Sequence, residues 1–256
     1  MKITVLADNN SLIDRYYLAE PAFSLFIEEG GKKILFDTGY SDVFRKNGEK
    51  MGVSFTRIDT IVISHGHNDH TGGLQYLADL KQNIDVYAHP DADEDKSYKG
   101  LDISMPVKFS QLNSNFKVTL SRKPLNITDK LVYLGEIERK WQKTVPLEDD
   151  ELEDDTAMVY KGEKGLFIIT GCSHSGIINI CEYSKKVTGI NRISGVIGGF
   201  HMLDNDSLNT EVRNYFRKQD IDVIYPCHCT DLKAKIALAQ AVEIREVGVS
   251  MQLEIC

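Results

Sequence analysis

The chain has 256 residues, of which 42% are hydrophobic and 27% charged, a balance typical of one large globular domain, so we expect a single domain over residues 1–256. Its formal net charge of −8 argues against nucleic acid and against an anionic membrane surface as partners. No apolar run approaches the roughly 18 residues of a transmembrane helix, which argues against a membrane protein.

In chain order, the first predicted element is a strand near Ile3–Ala7, whose apolar part is too short for a signal peptide. Strands over Phe23–Glu29 and Lys33–Asp37 are joined by a Gly-Gly turn and form a hairpin. A helix over Val43–Met51 is followed by a buried strand over Thr60–Ser64. The chain therefore begins strand-rich and leads into its most unusual segment.

That segment places three histidines and an aspartate within six residues, directly after a strand and before a Gly-Gly turn. His65 and His67 are two residues apart, so both can reach one ion, whereas Asp69 and His70 are adjacent and can face a second ion. Neutral imidazole and carboxylate are ligands for Zn²⁺, and they also suit Fe or Mn. The motif supplies too few ligands for two ions, so other segments must contribute.

After a short strand over Asp85–Ala88, an irregular polar stretch near residues 91–129 predicts an insertion or lid. The rest of the chain alternates strands and helices, which is typical of a mixed α/β fold. The further predicted strands are Lys130–Gly135, Ala157–Lys161, Gly165–Thr170, Ile193–Ile197 and Asp222–Tyr225, and the helices are Ile177–Lys186, Leu208–Gln219 and Leu232–Ala241.

Three of these later strands also end in histidines: His174, His201 and His228. Six of the seven histidines thus follow strand-like runs into polar turns, and only His89 lacks a dense polar neighbourhood. Five cysteines, an odd number, do not form a disulfide framework. Several of them flank the histidines instead, which favours a reducing, cytoplasmic setting.

The motifs Asp37-Thr38-Gly39, Ser-His-Gly-His-x-Asp-His-Thr-Gly-Gly-Leu, Gly-Cys-Ser-His, Gly-Gly-Phe-His and Pro-x-His-Cys-Thr resemble the metallo-β-lactamase superfamily of metal-dependent hydrolases. Within it, the chain is similar to a group that includes archaeal 7,8-dihydropterin-6-methyl-4-(ribofuranosyl)-aminobenzene-phosphate synthases. The likeness extends from Ala19 to Thr230. It implies an α/β fold, the four-layer αββα sandwich (metallo-β-lactamase fold), with the irregular insertion near residues 91–129.

The resemblance also implies a dinuclear centre of two divalent metal ions, with Zn²⁺ expected first and Fe or Mn as alternatives. His65 and His67 would hold the first ion, and Asp69, His70 and His228 the second. The full set of expected ligands is His65, His67, Asp69, His70, His174 and His228.

The third ligand of the first ion is open, because the chain lacks the Pro-Gly-His of many relatives and has Gly171-Cys172 where they have Gly-Asp. Either His174 replaces the missing histidine and the bridging carboxylate is lost, or Asp154 or Asp155 approaches the first ion while Cys172 bridges as a thiolate. We favour His174 as the ligand. An equally good interpretation is that Cys172 is a small buried hydrophobic residue and binds no ion.

Two residues are expected to act in catalysis. Asp69 would accept a proton as general base, and His201 would donate a proton to a leaving group or bind an anionic substrate. Asp37 is expected to orient a ligand histidine from behind.

The primary hypothesis is a hydrolase acting on a small-molecule ester, phosphoester or lactone. One alternative is a pterin-dependent transferase, which would use the same ions to activate a pterin leaving group. Another is a non-hydrolytic iron or redox protein with Cys172, Cys227 and Cys229 near iron, although redox relatives commonly have a carboxylate in place of His67. The expected partner is a small-molecule substrate, with no nucleic acid and no membrane, and the oligomeric state is left open.

Overall fold

The computed structural model describes residues 1–80, 83–144, 150–203 and 206–256, and these form two seven-stranded sheets, one small hairpin and five α-helices. The strands are β1 (Lys2–Ala7), β2 (Ser24–Glu29), β3 (Lys32–Phe36), β4 (Thr60–Val62), β5 (Ile84–Ala88), β6 (Ser97–Tyr98), β7 (Leu101–Asp102), β8 (Phe116–Leu120), β9 (Leu125–Asn126), β10 (Leu131–Tyr133), β11 (Ala157–Gly162), β12 (Gly165–Thr170), β13 (Ile193–Gly198), β14 (Val223–Pro226), β15 (Glu243–Ile244) and β16 (Gln252–Glu254). The helices are α1 (Val43–Lys50), α2 (Asn68–Thr71), α3 (Ile177–Thr188), α4 (Asp206–Gln219) and α5 (Leu232–Leu238).

The first half of the chain and the C-terminal strand β16 build one sheet, and the second half builds the other. The first sheet has the order β16-β1-β2-β3-β4-β5-β8, and the second has the order β15-β14-β13-β12-β11-β10-β9. Both sheets are mixed. Neighbouring strands are parallel from β3 through β4 and β5 to β8 and again from β12 to β15, whereas β1, β2 and β3 pair antiparallel.

The central strands of both sheets are apolar on both faces, so each sheet packs against the other sheet on one side and against helices on the other. In β1, Ile3 and Val5 lie in the core between the two sheets, whereas Leu6 points to the opposite side and packs with Phe44 of α1. The outer face of the second sheet is covered by α3, α4 and α5, which bury residues such as Ile180 and Val212. The result is the predicted αββα sandwich, and the predicted fold class is confirmed.

Most predicted elements lie within a few residues of their observed bounds, including α1, α3, α4 and the strands that precede the histidines. The two glycines that follow the histidine motif begin a 3₁₀ helix over Gly72–Leu77. The short strands β15 and β16 were not predicted, because two or three residues carry too little periodicity.

The prediction for residues 91–129 is wrong in part, because the stretch is not irregular throughout. It contains β8 and β9, which form one edge of each sheet. Phe116 and Val118 alternate with polar residues and turn toward the first sheet's outer core. This alternation spans only five residues at a sheet edge, so it is hidden in a polar background.

In the part of the chain that the structure describes, no helix combines the length and hydrophobicity needed to cross a bilayer.

Candidate metal centre

The six histidines that follow strands gather at one edge of the sandwich, where the two sheets meet. Their rings form a continuous chain of contacts from His67 and His65 through His70 to His228, and from His174 to His201, with centroid separations of 4.2–5.0 Å. His89 lies apart, beside Glu136 and Arg122. Parallel strands deliver their ends to a common edge, which is why residues far apart in the chain meet here.

The first ligand group consists of His65, His67 and His174, whose nitrogen atoms lie within 4.8 Å of one another. His65 Nε2 lies 3.1 Å from His67 Nδ1. His174 Nε2 is buried and has no hydrogen-bond partner among the described residues. A buried polar nitrogen without a partner is costly, so this arrangement favours a bound cation.

The second ligand group consists of Asp69, His70 and His228, again within 4.8 Å. The Nε2 atoms of the two histidines are 3.1 Å apart, and an Asp69 oxygen lies 3.2 Å from His228 Nε2. Two imidazoles on one tetrahedral Zn²⁺ place their nitrogens about 3.4 Å apart, given Zn–N distances of about 2.0–2.1 Å. The spacing therefore fits a shared ion.

Hydrogen bonds behind these two rings determine which nitrogen faces the group. His70 Nδ1 lies 2.7 Å from Asp37, and His228 Nδ1 lies 2.9 Å from Asn9 Oδ1. Because the Asp37 carboxylate can only accept, we assign the proton of neutral His70 to Nδ1. His228 has an acceptor at each nitrogen, Asn9 Oδ1 at Nδ1 and an Asp69 oxygen at Nε2. The Nε2 lone pair of His70 therefore faces His228 Nε2 and the Asp69 carboxylate, an arrangement suited to a shared cation or proton.

Asp37 connects the two ligand groups. Besides His70, it accepts hydrogen bonds from the backbone N–H and the hydroxyl of Ser64, both at 2.7 Å. The Ser64 hydroxyl in turn lies 2.9 Å from His65 Nδ1, so one buried carboxylate orients a histidine in each group.

Cys172 lies between the two groups. Its sulfur is 3.2 Å from His70 Nε2 and within 4.8 Å of the nitrogen that His65 offers. Asp154 and Asp155 belong to none of the described ligand groups. Asp154 instead accepts from the Gly66 N–H and pairs with Lys96, and Asp155 accepts from Ser175. The Cys172 sulfur therefore lies beside nitrogens of both groups, at the position that the open alternative gives to a bridging ligand.

The electrostatics of the two groups differ. Burial lowers the pKa of His67 to about 4 and holds the pKa values of His65 and His174 well below the ordinary value, so these rings are neutral at pH 7. Burial alone would also lower the pKa of His70, but Asp69 and Asp37 raise it to about 9. His70 is therefore protonated at pH 7 unless a metal ion displaces its proton.

Two cavities open beside the centre. One has a volume of about 460 Å³ and is lined by His174 and His201, with Gln142 and Leu203 on other walls. The other, of about 970 Å³, runs between Asn68 and the insertion. Cavities of this size can accommodate a small molecule.

The sequence did not identify Asn9, Ser64 or Lys96 as part of this region. The signal for Asn9 was present, because Asp8 and Asn9 are polar residues directly after a buried strand, like the predicted ligands. Asp8 accepts from the backbone N–H of His228 at 3.0 Å, so this pair fixes the last histidine from behind.

Comparison with known proteins gives a consistent result. The family model described as "Metallo-beta-lactamase superfamily" matches residues 18–228, which contain every histidine of the site. In Methanocaldococcus jannaschii, a protein named "Uncharacterized protein MJ0448" is 34% identical over 253 residues (93% of this chain and 94% of that protein). From the same organism, 7,8-dihydropterin-6-methyl-4-(beta-D-ribofuranosyl)-aminobenzene-5'-phosphate synthase is 30% identical over 262 residues (92% and 89%).

Among solved structures, Tm1679 is described as a metal-dependent hydrolase of the beta-lactamase superfamily. It aligns with a TM-score of 0.87 at 28% sequence identity, covering 99% of this chain and 98% of that chain. The shared architecture includes the sheet edge at which the histidines meet.

Proposed function

The chain belongs to the metallo-beta-lactamase superfamily, and from that premise we propose that it is a hydrolase that uses two divalent metal ions to act on a small-molecule ester, phosphoester or lactone. The observation that carries the proposal is the pair of Nε2 atoms of His70 and His228, 3.1 Å apart with their Nδ1 atoms already bonded. Such a pair is arranged for a cation.

The residues present fit two ions. His65, His67 and His174 would hold the first, and Asp69, His70 and His228 the second, with the Cys172 sulfur between them. Bound there, the ions would lower the pKa of a bound water to about 7 and polarise the scissile bond. Imidazole-rich sites suit Zn²⁺, with Fe or Mn as alternatives, and one thiolate shifts the preference toward softer ions.

Two residues of the chain would then carry out the two proton transfers, one as acceptor and one as donor. The Asp69 carboxylate would accept the proton of the attacking water. His201 stacks on His174 with a centroid separation of 4.4 Å and lines the 460 Å³ cavity. From that position it would donate a proton to the leaving group or contact an anionic group of the substrate.

The test combines elemental analysis of the purified protein with a panel of esters, phosphodiesters and lactones. We expect about two ions per chain and turnover of at least one substrate class. His67→Ala and Asp69→Ala should reduce turnover to background while circular dichroism shows a folded chain. His89→Ala is the matched control, because this histidine lies outside the ligand groups, and it should keep its metal content and turnover.

Full activity in either site variant would overturn the assignment of these residues. A chain that stays metal-free after incubation with Zn²⁺, Mn²⁺ and Fe²⁺ would overturn the whole proposal. Colour, iron content and redox activity as purified would favour the redox alternative instead.

A pterin-dependent transferase is the second candidate, favoured by the 30% identity to the synthase over 92% of this chain. The same ions would then activate a pterin leaving group. Turnover of a pterin pyrophosphate with an aminobenzene riboside, in the absence of hydrolysis across the panel, would select this function.

A further inference from the structure

A third cluster of possible ligands lies beside the dinuclear site. Cys172, His201 and Cys229, here called the thiol cluster, place two sulfurs and one ring nitrogen within 4.8 Å of one another. None of the six proposed metal ligands belongs to this cluster. Cys229 and His201 have no role as ligands in the dinuclear site, so the cluster needs an explanation of its own.

The backbone brings these three side chains together from three neighbouring strands. Cys172 follows β12, His201 follows β13 and Cys229 follows β14. Gly199 makes the approach possible, because a Cβ at this position would lie 2.4 Å from Cys229 Sγ and 2.8 Å from the Gly171 carbonyl oxygen. Only glycine leaves room for the sulfur.

His201 is held in a conformation that L-residues rarely adopt, with φ of 45°. Such strain persists only where the surrounding structure enforces it, and it concentrates at functional sites. The ring's Nδ1 is buried and has no hydrogen-bond partner among the described residues. His201 also hydrogen-bonds with the Cys229 thiol, so this strained ring is held beside the two sulfurs as a candidate ligand.

The surroundings favour a positive ion. The negative charges of Asp69 and Asp155 lie close enough to Cys172 and His201 to raise the pKa of both side chains. Cys172 is buried, whereas Cys229 and His201 are half-buried and His201 lines the 460 Å³ cavity, which gives an ion a path to the cluster.

We infer that the thiol cluster is a third cation site, selective for thiophilic ions such as Zn²⁺, Cd²⁺ or Cu⁺. Two thiolates and one imidazole with an open fourth position form a soft tetrahedral site that Mg²⁺ does not occupy. Ligands of a tetrahedral zinc ion lie under about 4 Å apart, given bond lengths of about 2.0–2.3 Å. Small side-chain rotations would close the cluster to that size.

Occupancy of this site would affect the neighbouring centre. The Cys172 sulfur is 3.2 Å from His70 Nε2, so an ion in the thiol cluster would share this sulfur with the second ion. It would also hold His201 and prevent that ring from donating a proton into the cavity. Excess thiophilic metal would thereby inhibit the protein.

The experiment titrates metal-free protein with Co²⁺ and with Cd²⁺ under anaerobic, reducing conditions, and it records bound ions per chain and sulfur-to-metal charge-transfer absorption. We expect three ions in the wild type, and a rise in charge-transfer absorption with the third. Cys229→Ser should bind two ions and lose that rise. Cys181→Ala is the control, because this buried thiol lies in α3 outside the cluster, and it should bind three.

A wild type that saturates at two ions, or a Cys229→Ser variant that still binds three, would overturn the third site. If Cys229→Ser does not fold, His201→Asn gives the same test and should also bind two ions. Three ions without any hydrolysis would overturn the proposed function alone, and no bound ions would overturn both.

Discussion

At the scale of single residues, the centre depends on side chains that never touch an ion. Asp37 is fully buried and orients His70 directly and His65 through Ser64. Asn9 does the same for His228. Such partners select the tautomer that presents a lone pair to the metal, so their loss weakens binding without removing a ligand.

Replacing Asn9 with alanine tests this role. Asn9→Ala removes the acceptor that holds the Nδ1–H of His228, so we expect the affinity for the second ion to fall by about 10–100-fold. Competition with a chromophoric chelator measures this affinity. Asn10→Ala is the matched control, because the contacts of Asn10 with Asp8 and Val249 use backbone atoms. Equal affinities in the two variants would show that Asn9 does not position the histidine.

At the scale of elements, strand ends are the functional unit. Asp37, Ser173, His201 and His228 all follow strands and all have positive φ, between 45° and 59°. These sharp turns redirect the chain at the sheet edge, and the packed sheets compensate for the strain. The turns therefore aim side chains into the shared space instead of along the strand.

The end of β12 packs closely on the end of β4. A Cβ on Gly171 would lie 2.2 Å from Ser64 Oγ and 3.2 Å from Asp37 Oδ2. We expect Gly171→Ala to lower the free energy of unfolding by about 1–3 kcal/mol and to weaken metal binding, because it displaces the hydroxyl that orients His65. Chemical denaturation and metal titration measure the two effects.

Gly189→Ala is the control for this substitution. Gly189 ends α3 with φ of 73°, and its Cβ would have open space, so we expect only the cost of the left-handed conformation, about 1–2 kcal/mol. Its metal affinity should be unchanged. Unaltered metal affinity in Gly171→Ala would contradict the proposed coupling between the two strand ends.

At the scale of the whole molecule, both halves contribute to each ligand group. The first sheet supplies His65, His67, Asp69 and His70, and the second supplies His174 and His228. Bound ions would therefore cross-link the halves. The insertion joins them too, because Lys96 pairs with Asp154 at 3.1 Å, and Asp154 accepts from the Gly66 N–H between two predicted ligands.

Removing the Lys96 charge tests this connection. Burial raises the pKa of Asp154 to about 6 even though Lys96 opposes the shift. In Lys96→Met the Asp154 carboxylate loses its buried cationic partner. We expect the free energy of unfolding at pH 8 to fall by about 3–5 kcal/mol. Denaturation curves across pH measure this loss.

The sign of the pH dependence follows from the raised pKa. Folded Asp154 binds a proton that the unfolded chain has already released, so the folded state loses stability as pH rises from about 4 through 6. Loss of Lys96 raises the pKa of Asp154 further, so the variant takes up the proton at a higher pH than the wild type, and the cost of Lys96→Met should shrink as pH falls from 8 toward 6. Lys140→Met removes an exposed ion pair and should change stability by less than about 1 kcal/mol at any pH. A pH-independent loss in Lys96→Met would contradict the buried-charge explanation.

Much of the fold could be predicted from the pattern of apolar residues, because a strand that is buried on both faces appears in the sequence as a continuous apolar run. The runs before His65, His174, His201 and His228 are of this kind, so the sequence indicated both the strands and the polar residues at their ends. The edge strands β8 and β9 were missed, because a short, half-exposed strand has too few apolar residues to stand out.

The sequence by itself predicted a mixed α/β fold from its order of strands and helices, and its local motifs identified the family. The resemblance to that family in turn implied the αββα architecture and the six residues expected to bind metal. Only the tertiary structure decided which residues meet. In the folded chain Cys172 lies between the two ligand groups, and Asn9 contacts His228. Asp154 pairs with Lys96 instead of approaching the first ligand group, and the three residues of the thiol cluster lie together. The reason is geometric: these contacts join strand ends on different strands, and the distances between strand ends are set by sheet packing, which local sequence does not encode.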